Sequence, residues 1–271
     1  IRNNGLTDLT IYELTETGGF YWQITLPLTI PAGDSALVPI FFSPCCDNDG
    51  TLWIIHSDTF QSPMLIRLTG LRGTLVRGEI SGVWSAEDGP YHVVDDAVVP
   101  QDDSLLIEPG VQVRIGWVVK LQINGRLNAV GSDSGRIRFE GGHGLDFAGG
   151  DSSTVSFVDF WKSGYLGDLG GAVTVLGTGT RVAIRRTLFA WAAASYGAGV
   201  YAGLGTKVSL QNCTFGYGLV QGGESIYVDE GAWVGVRETI VTYRFRNRGT
   251  FVASYSILPA GSGEYMQDGG T

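Results

Sequence analysis

An internal repeat of 26 residues in the C-terminal half constrains this chain more than any other feature. Val182-Ala183-Ile184-Arg185, Val208-Ser209-Leu210-Gln211 and Val234-Gly235-Val236-Arg237 recur at that interval. Leu188-Phe189, Thr214-Phe215 and Ile240-Val241 keep it, and so do Val175, Tyr201 and Tyr227. A period of this length marks a solenoid, in which each unit contacts only its neighbours. Each unit holds three very short strands broken by Gly-rich corners. Within a strand the period is 2, so Val182 and Ile184 point one way while Arg181, Ala183 and Arg185 point the other. So short a strand cannot bury a face alone; stacked on its equivalents one turn away, it joins a parallel sheet with columns of like side chains. Leucine-rich repeats are excluded because the units lack the Leu lattice and the helical half, and a β-propeller needs longer strands and a longer period. The expectation is an all-β chain with a right-handed parallel β-helix of about six or seven coils over residues 83–271. Earlier phrases join it with looser spacing: Val98, Val119 and Leu145 in one sheet, Leu106, Leu127 and Val155 in a second, Val113 and Ile137 in a third.

Residues 1–70 read differently. Leu9–Tyr12, Phe20–Ile24, Ala36–Phe42, Thr51–Ile55 and Met64–Leu68 are strand-like pieces separated by turns, with no helical period. Short strands at this spacing predict a small antiparallel sandwich. Its modest length, and an opening Ile1-Arg2-Asn3-Asn4-Gly5 that reads as a strand end and turn, predict a missing first strand and a longer natural chain. Residues 71–82 read as a joint. The 41 glycines lack a Gly-X-Y period, which excludes collagen, and suit a fold of many tight turns. A formal net charge of -9 argues against a nucleic-acid partner. No apolar run is long enough to span a bilayer. Cys45, Cys46 and Cys213 read as three unconnected side chains, with a vicinal disulfide or a bond from one of the pair elsewhere as alternatives.

The phrases Trp84-Ser85, Pro90-Tyr91-His92-Val93-Val94, Val98-Val99-Pro100, Leu105-Leu106-Ile107-Glu108-Pro109-Gly110-Val111 and Gly125-Arg126-Leu127-Asn128-Ala129 run in order up to Phe139. They resemble the opening coils of bacterial β-helix proteins of the pectin-lyase-like superfamily. In the first segment, Asn3-Asn4-Gly5, Leu28-Thr29-Ile30-Pro31-Ala32-Gly33-Asp34, Phe42-Ser43-Pro44 and Leu68-Thr69-Gly70 resemble the immunoglobulin-like modules of bacterial surface proteins, of the ASH and choice-of-anchor D type. The second resemblance implies a spacer or docking unit without catalytic residues. The stretch Cys45-Cys46-Asp47-Asn48 departs from its pattern.

Two sets of residues are candidates for recognition. Tyr165, Trp191, Tyr217 and Tyr243 lie 26 apart in four consecutive coils. On strand parity with Phe189 and Phe215 they form an internal or corner stack; the alternative is an exposed strip that stacks on sugar rings. Arg185 and Arg237, with Gln211 between them, form an outward polar column: a solvated face, or a shallow groove for acidic glycan. Catalysis has weaker support. Glycoside hydrolysis needs two carboxylates about 5–9 Å apart, and aligned positions in the regular coils offer no matched pair. The pectate-lyase-like arrangement of calcium-binding acids fails as well, since only Glu238 and Asp159 are near. Asp95-Asp96 and Asp102-Asp103 read as turn residues, with a calcium site as the alternative. His56, His92 and His143 are too scattered for zinc, and no Gly-x-Ser-x-Gly elbow is present. No cofactor is expected beyond that calcium alternative.

The leading expectation is therefore a non-catalytic, secreted or cell-surface structural or adhesion protein that presents a rigid β-helix to a polysaccharide or another surface protein. A polysaccharide lyase or glycoside hydrolase, using the loops at 161–169 or 190–197, is the first alternative, and a phage or secretion-related fibre subunit the second. The sequence is silent on oligomeric state.

Overall fold

The computed structural model describes residues 1–18, 20–42, 48–70, 72–149, 152–164, 167, 169–216, 224–259 and 266–267. Those residues are all-β, and they fall into two compact units, Ile1–Arg72 and Gly73–Thr271.

The first unit is antiparallel. Leu28–Ile30, Leu9–Thr17, Asn48–His56 and Met64–Gly70 pair in that order, and Phe20–Trp22 pairs with Ile40–Phe42 in a second small sheet. Alternation along the strands buries Ile11, Leu14, Ile30, Leu52 and Ile54, and Trp22 and Ile40 of the small sheet pack against them. The Asn3-Asn4-Gly5 phrase is a turn held by Asn3. Its amide donates to the Thr7 and Ile30 carbonyls, and its side-chain oxygen accepts from Gly5 N–H.

The second unit is a parallel β-helix of about six coils with three faces, here A, B and C. Face A runs through Leu121–Ile123, Leu145–Phe147, Val173–Val175, Val200–Ala202, Ile226–Val228 and Phe245–Asn247. Face B runs from Gly82–Trp84 and Ser104–Ile107 through Arg126–Val130, Ser153–Ser156, Arg181–Arg185, Lys207–Gln211 and Trp233–Arg237 to Thr250–Ser254. Face C runs through Gln112–Ile115, Ile137–Gly141, Val158–Trp161, Leu188–Ala190, Thr214–Phe215 and Ile240–Val241. The long strand Tyr91–Val99 serves faces C and A together, and Thr74–Glu79 pairs beside it. The segment expected as a joint thus belongs, from Gly73 onward, to the second unit and forms its first coil.

Val182, Val208 and Val234 lie in register on parallel strands, as the 26-residue repeat requires. The looser early coils take a different frame from the expected one. Leu105 and Ile107 face inward and Leu106 is exposed, so Leu105, not Leu106, stands beside Leu127. Val98 lies between the buried Ala97 and Val99, which stand over Leu121 and Ile123; Val119 belongs to the preceding turn. Adjacent apolar pairs such as Leu105-Leu106 leave the frame of alternation open, and only pairing chooses it.

Coil length varies most at one corner. From face B to face C the inward residues are always five apart in the later coils: Val155 to Phe160, Ile184 to Phe189, Leu210 to Phe215, Val236 to Val241. From face C to face A the interval ranges from 4 (Val241 to Phe245) to 13 (Phe160 to Val173). The constant corner needs a left-handed residue, and Phe157, Arg186, Asn212 and Glu238 occupy it at φ of 53°, 47°, 53° and 51°. Each donates its N–H to a carbonyl one coil further on: Arg185, Gln211, Arg237 and Ser254.

Inside, Phe139, Phe160, Phe189 and Phe215 stack as a ladder with ring centroids 5.3, 5.4 and 4.4 Å apart. Phe189 touches a ring on both sides and has no exposed surface. Phe189→Ala is expected to cost about 3–5 kcal/mol, measured by urea denaturation of the purified chain.

Candidate functional site

The structure divides the candidate residues between two surfaces. Arg185 and Arg237 face outward on face B, one column, with Gln211 in the coil between. Trp191 and Tyr243 lie at the corner that follows face C, in equivalent positions two coils apart. Tyr165 and Tyr217 lie outside the described residues.

The core-stack expectation fails for Trp191 and Tyr243, which are 46% and 40% exposed. Parity with Phe189 governs side chains only while the backbone stays extended. Trp191 is left-handed at φ 56°, which breaks the alternation and turns the indole out to solvent. The 26-residue spacing from Tyr165 also does not carry structural equivalence here. Phe160 stands against Phe189 and Trp161 against Ala190, a 29-residue coil, so the neighbour of Trp191 in the preceding coil is Lys162. Lys162 is itself left-handed, at φ 55°, and donates its N–H to the Ala190 carbonyl at 3.2 Å.

Around this corner the fold assembles aromatic residues that the repeat did not reveal. The Trp161 and Trp191 rings are tilted, with centroids 6.4 Å apart. The Arg138 guanidinium sits 5.4 Å from the Trp161 centroid and 3.7 Å from Glu140. Trp117, 76% exposed, lines a shallow cavity of about 190 Å³ with Val118, Glu140, Gly141, Gly142, Lys162 and Gly164. Glycine at 142 is required, since a Cβ there would come within 2.2 Å of Ile115 Cγ2. Further along the same edge, the Arg244 guanidinium covers the Tyr243 ring at 5.2 Å and donates to its hydroxyl at 3.1 Å. Trp161 opens a 29-residue coil, and Trp117 precedes the run of regular coils, so the 26-residue repeat did not mark them.

The carboxylates do not converge. Asp159 on face C accepts from Arg136 Nε at 2.8 Å, and Arg136 also donates to the Val158 and Arg186 carbonyls, joining successive coils. Glu238, at the face B corner, accepts from Asn212 at 3.1 Å and lies 3.5 Å from Arg237. Asp96 accepts from Lys120 N–H, and Asp95 from Asp96 N–H; both lie within the strand Tyr91–Val99 and not in the turn expected of them. Among the described residues, no three His, Cys, Asp or Glu side chains group to hold a metal, and no helix is long and apolar enough to cross a membrane.

Two buried groups give the unit a pH signature. Tyr201 stacks on Tyr227 at 5.3 Å and donates to Asp229 at 3.1 Å. Burial, and then the Asp229 charge, push its hydroxyl up to about 12. Burial likewise pushes the free Cys213 thiol up to about 11. Cys45 and Cys46 lie outside the described residues. Unfolding lets both groups ionise at their ordinary values, so the unfolded state loses protons first. Stability is therefore expected to fall as pH rises from about 9 to about 11 through Cys213, and from about 10 to about 12 through Tyr201. Urea midpoints should drop over this range, and less steeply in Cys213→Ala and Tyr201→Phe. For the corner, Trp191→Ala is expected to shift stability by less than about 1 kcal/mol, because the ring is half in water; a loss comparable with Phe189→Ala would return Trp191 to the core.

In comparison with known proteins, the chain matches no family model, no curated protein and no solved structure.

Proposed function

We propose that this chain is a non-catalytic protein of the cell surface or exterior, in which a right-handed, pectin-lyase-like β-helix serves as a rigid glycan-binding scaffold. The first unit is read as an immunoglobulin-like spacer of the ASH type. The observation that carries this proposal is the edge following face C, where Trp117, Trp191 and Tyr243 stand in solvent on a hydrogen-bonded frame. Large aromatic rings left in water at fixed positions lose little entropy when a ligand covers them, and their faces suit the apolar faces of sugar rings. The carboxylates that a hydrolase or lyase would use are instead engaged by their own neighbours, Asp159 by Arg136 and Glu238 by Asn212. Exposure outside the cell rests on the family resemblance of the opening coils.

A glycan array probed with the full chain tests the binding. Trp191→Ala and Tyr243→Ala should each weaken captured glycans by roughly fivefold, the equivalent of about 1 kcal/mol per ring. Incubation with acidic and neutral polysaccharides, with and without calcium, should release neither reducing ends nor unsaturated products. Cleavage of any of them would replace the scaffold with an enzyme.

A further inference from the structure

The strand Met64–Gly70 ends the four-stranded sheet of the first unit. It pairs with Asn48–His56 on one side and, among the described residues, with no strand on the other. Such an edge presents a row of unpaired N–H and C=O groups, and folded proteins usually blunt it with charge, proline or a bulge. Here Arg67 is the only charged residue of the seven, Pro63 stands just before the strand, and the pairing has no bulge. Met64, Leu65 and Ile66 are apolar in succession and are 41%, 61% and 37% exposed. Consecutive apolar residues put apolar side chains on both faces, the pattern of a strand that has neighbours on each side.

Register fixes what lies beside each of them. Met64 stands against Ile54 and Ile66 against Leu52, on the face that the first unit buries; Leu65 stands against Trp53 on the other face. Leu52 and Ile54 are closed off in the core, whereas Met64 and Ile66, one strand further out on the same face, stay half open. A second copy, turned about a two-fold axis perpendicular to the sheet, keeps each face on its own side. The axis must then pass through a residue and not between two, because a shift of one residue sets buried-side positions against outer ones. Through Leu65, the ladder runs at once into Pro63, which has no N–H to give. Through Arg67, two guanidinium groups oppose each other directly, which is unfavourable. Through Ile66, five residues pair: Ile66 meets its equivalent, Met64 meets Leu68, and Leu65 meets the aliphatic stem of Arg67. The buried-side row across the four central strands then reads Leu52, Ile66, Ile66, Leu52, apolar throughout.

We propose that two copies of this chain associate through this edge, pairing Met64–Leu68 antiparallel about Ile66 and joining their two sheets into one. The occupant is a second copy because the edge complements itself: one register satisfies the backbone, extends the apolar rows on the buried side and keeps the two Arg67 side chains from direct opposition. Backbone hydrogen bonds supply the pairing, and the inward side chains choose the register. A five-residue ladder spans only about 17 Å, and a lasting complex buries about 800 Å² per partner. The dimer is therefore reversible and concentration-dependent, with Kd in the micromolar range or weaker, on the order of 1–100 μM. The proposal is independent of the glycan-binding reading and concerns the other unit; a dimer would also carry two β-helices, which raises avidity for any repeating ligand.

Sedimentation velocity of the full chain, over roughly 1 to 500 μM, tests the association. A dimer should grow with concentration. Ile66→Lys sets two ammonium groups against each other on the axis and should raise Kd by about tenfold or more. Leu37→Lys, at a position 88% exposed and outside the seam, should leave Kd unchanged. Should Ile66→Lys fail to fold, cross-linking decides in its place. In a chain carrying Cys45→Ser and Cys46→Ser, Ile66→Cys should give a disulfide-linked dimer on mild oxidation, since directly opposed Cβ atoms lie about 4.5–5.5 Å apart. Met64→Cys, whose equivalent lies four residues along the ladder, should not. A folded Ile66→Lys chain that dimerises as before overturns the proposal, and so does equal cross-linking at positions 64 and 66. A chain monomeric at every concentration overturns it too, and leaves the edge to a strand of another protein.

Discussion

Backbone hydrogen bonds between successive coils, with their strands in register, are the interaction on which the second unit depends. They place equivalent residues over one another, so whatever one position tolerates, its neighbours above and below must tolerate too. The left-handed corner after face B shows the strength of the constraint. A left-handed residue other than glycine costs about 1–2 kcal/mol, yet Phe157, Arg186, Asn212 and Glu238 all accept it. Each gains a hydrogen bond to the next coil, and the column behind them is filled by Thr187, Cys213 and Thr239, which bond back to local carbonyls. Polar corner groups are thus satisfied within the stack and need no water.

The same register divides the unit into a fixed part and a free part. In the later coils the corner between faces B and C keeps one length of five residues, whereas the two earlier coils use six (Ile107 to Val113) and ten (Ala129 to Phe139). The connections from C to A, by contrast, lengthen and shorten without disturbing the sheets that they join. Side chains borne on face B therefore sit on the more exactly repeated surface, while the exposed aromatics of the C edge sit beside the segments free to vary. One scaffold thus carries a regularly repeated face beside a variable edge for this geometric reason.

Much of this was legible in the sequence. Val182, Val208 and Val234, with Phe189 and Phe215, declared both the period and the inward face, because two coils there share one length. Earlier coils were less legible: Leu105-Leu106 and Val98-Val99 offer two frames of alternation, and partner strands choose between them. The site was only partly readable. Arg185 and Arg237 sit on extended strands, where parity works, and both face outward as read. Trp191 follows a strand end, where a left-handed residue reverses the side chain and parity gives the wrong face. The 29-residue coil likewise replaced Tyr165 with Lys162 as the neighbour of Trp191, a shift invisible to a fixed spacing.

Two consecutive coils of identical length have an implication for how such a molecule grows. Duplicating one of these units would add about 4.8 Å of axis while copying the cross-section and the corner geometry. The β-helix therefore lengthens by internal duplication in uniform increments, without redesigning the interior.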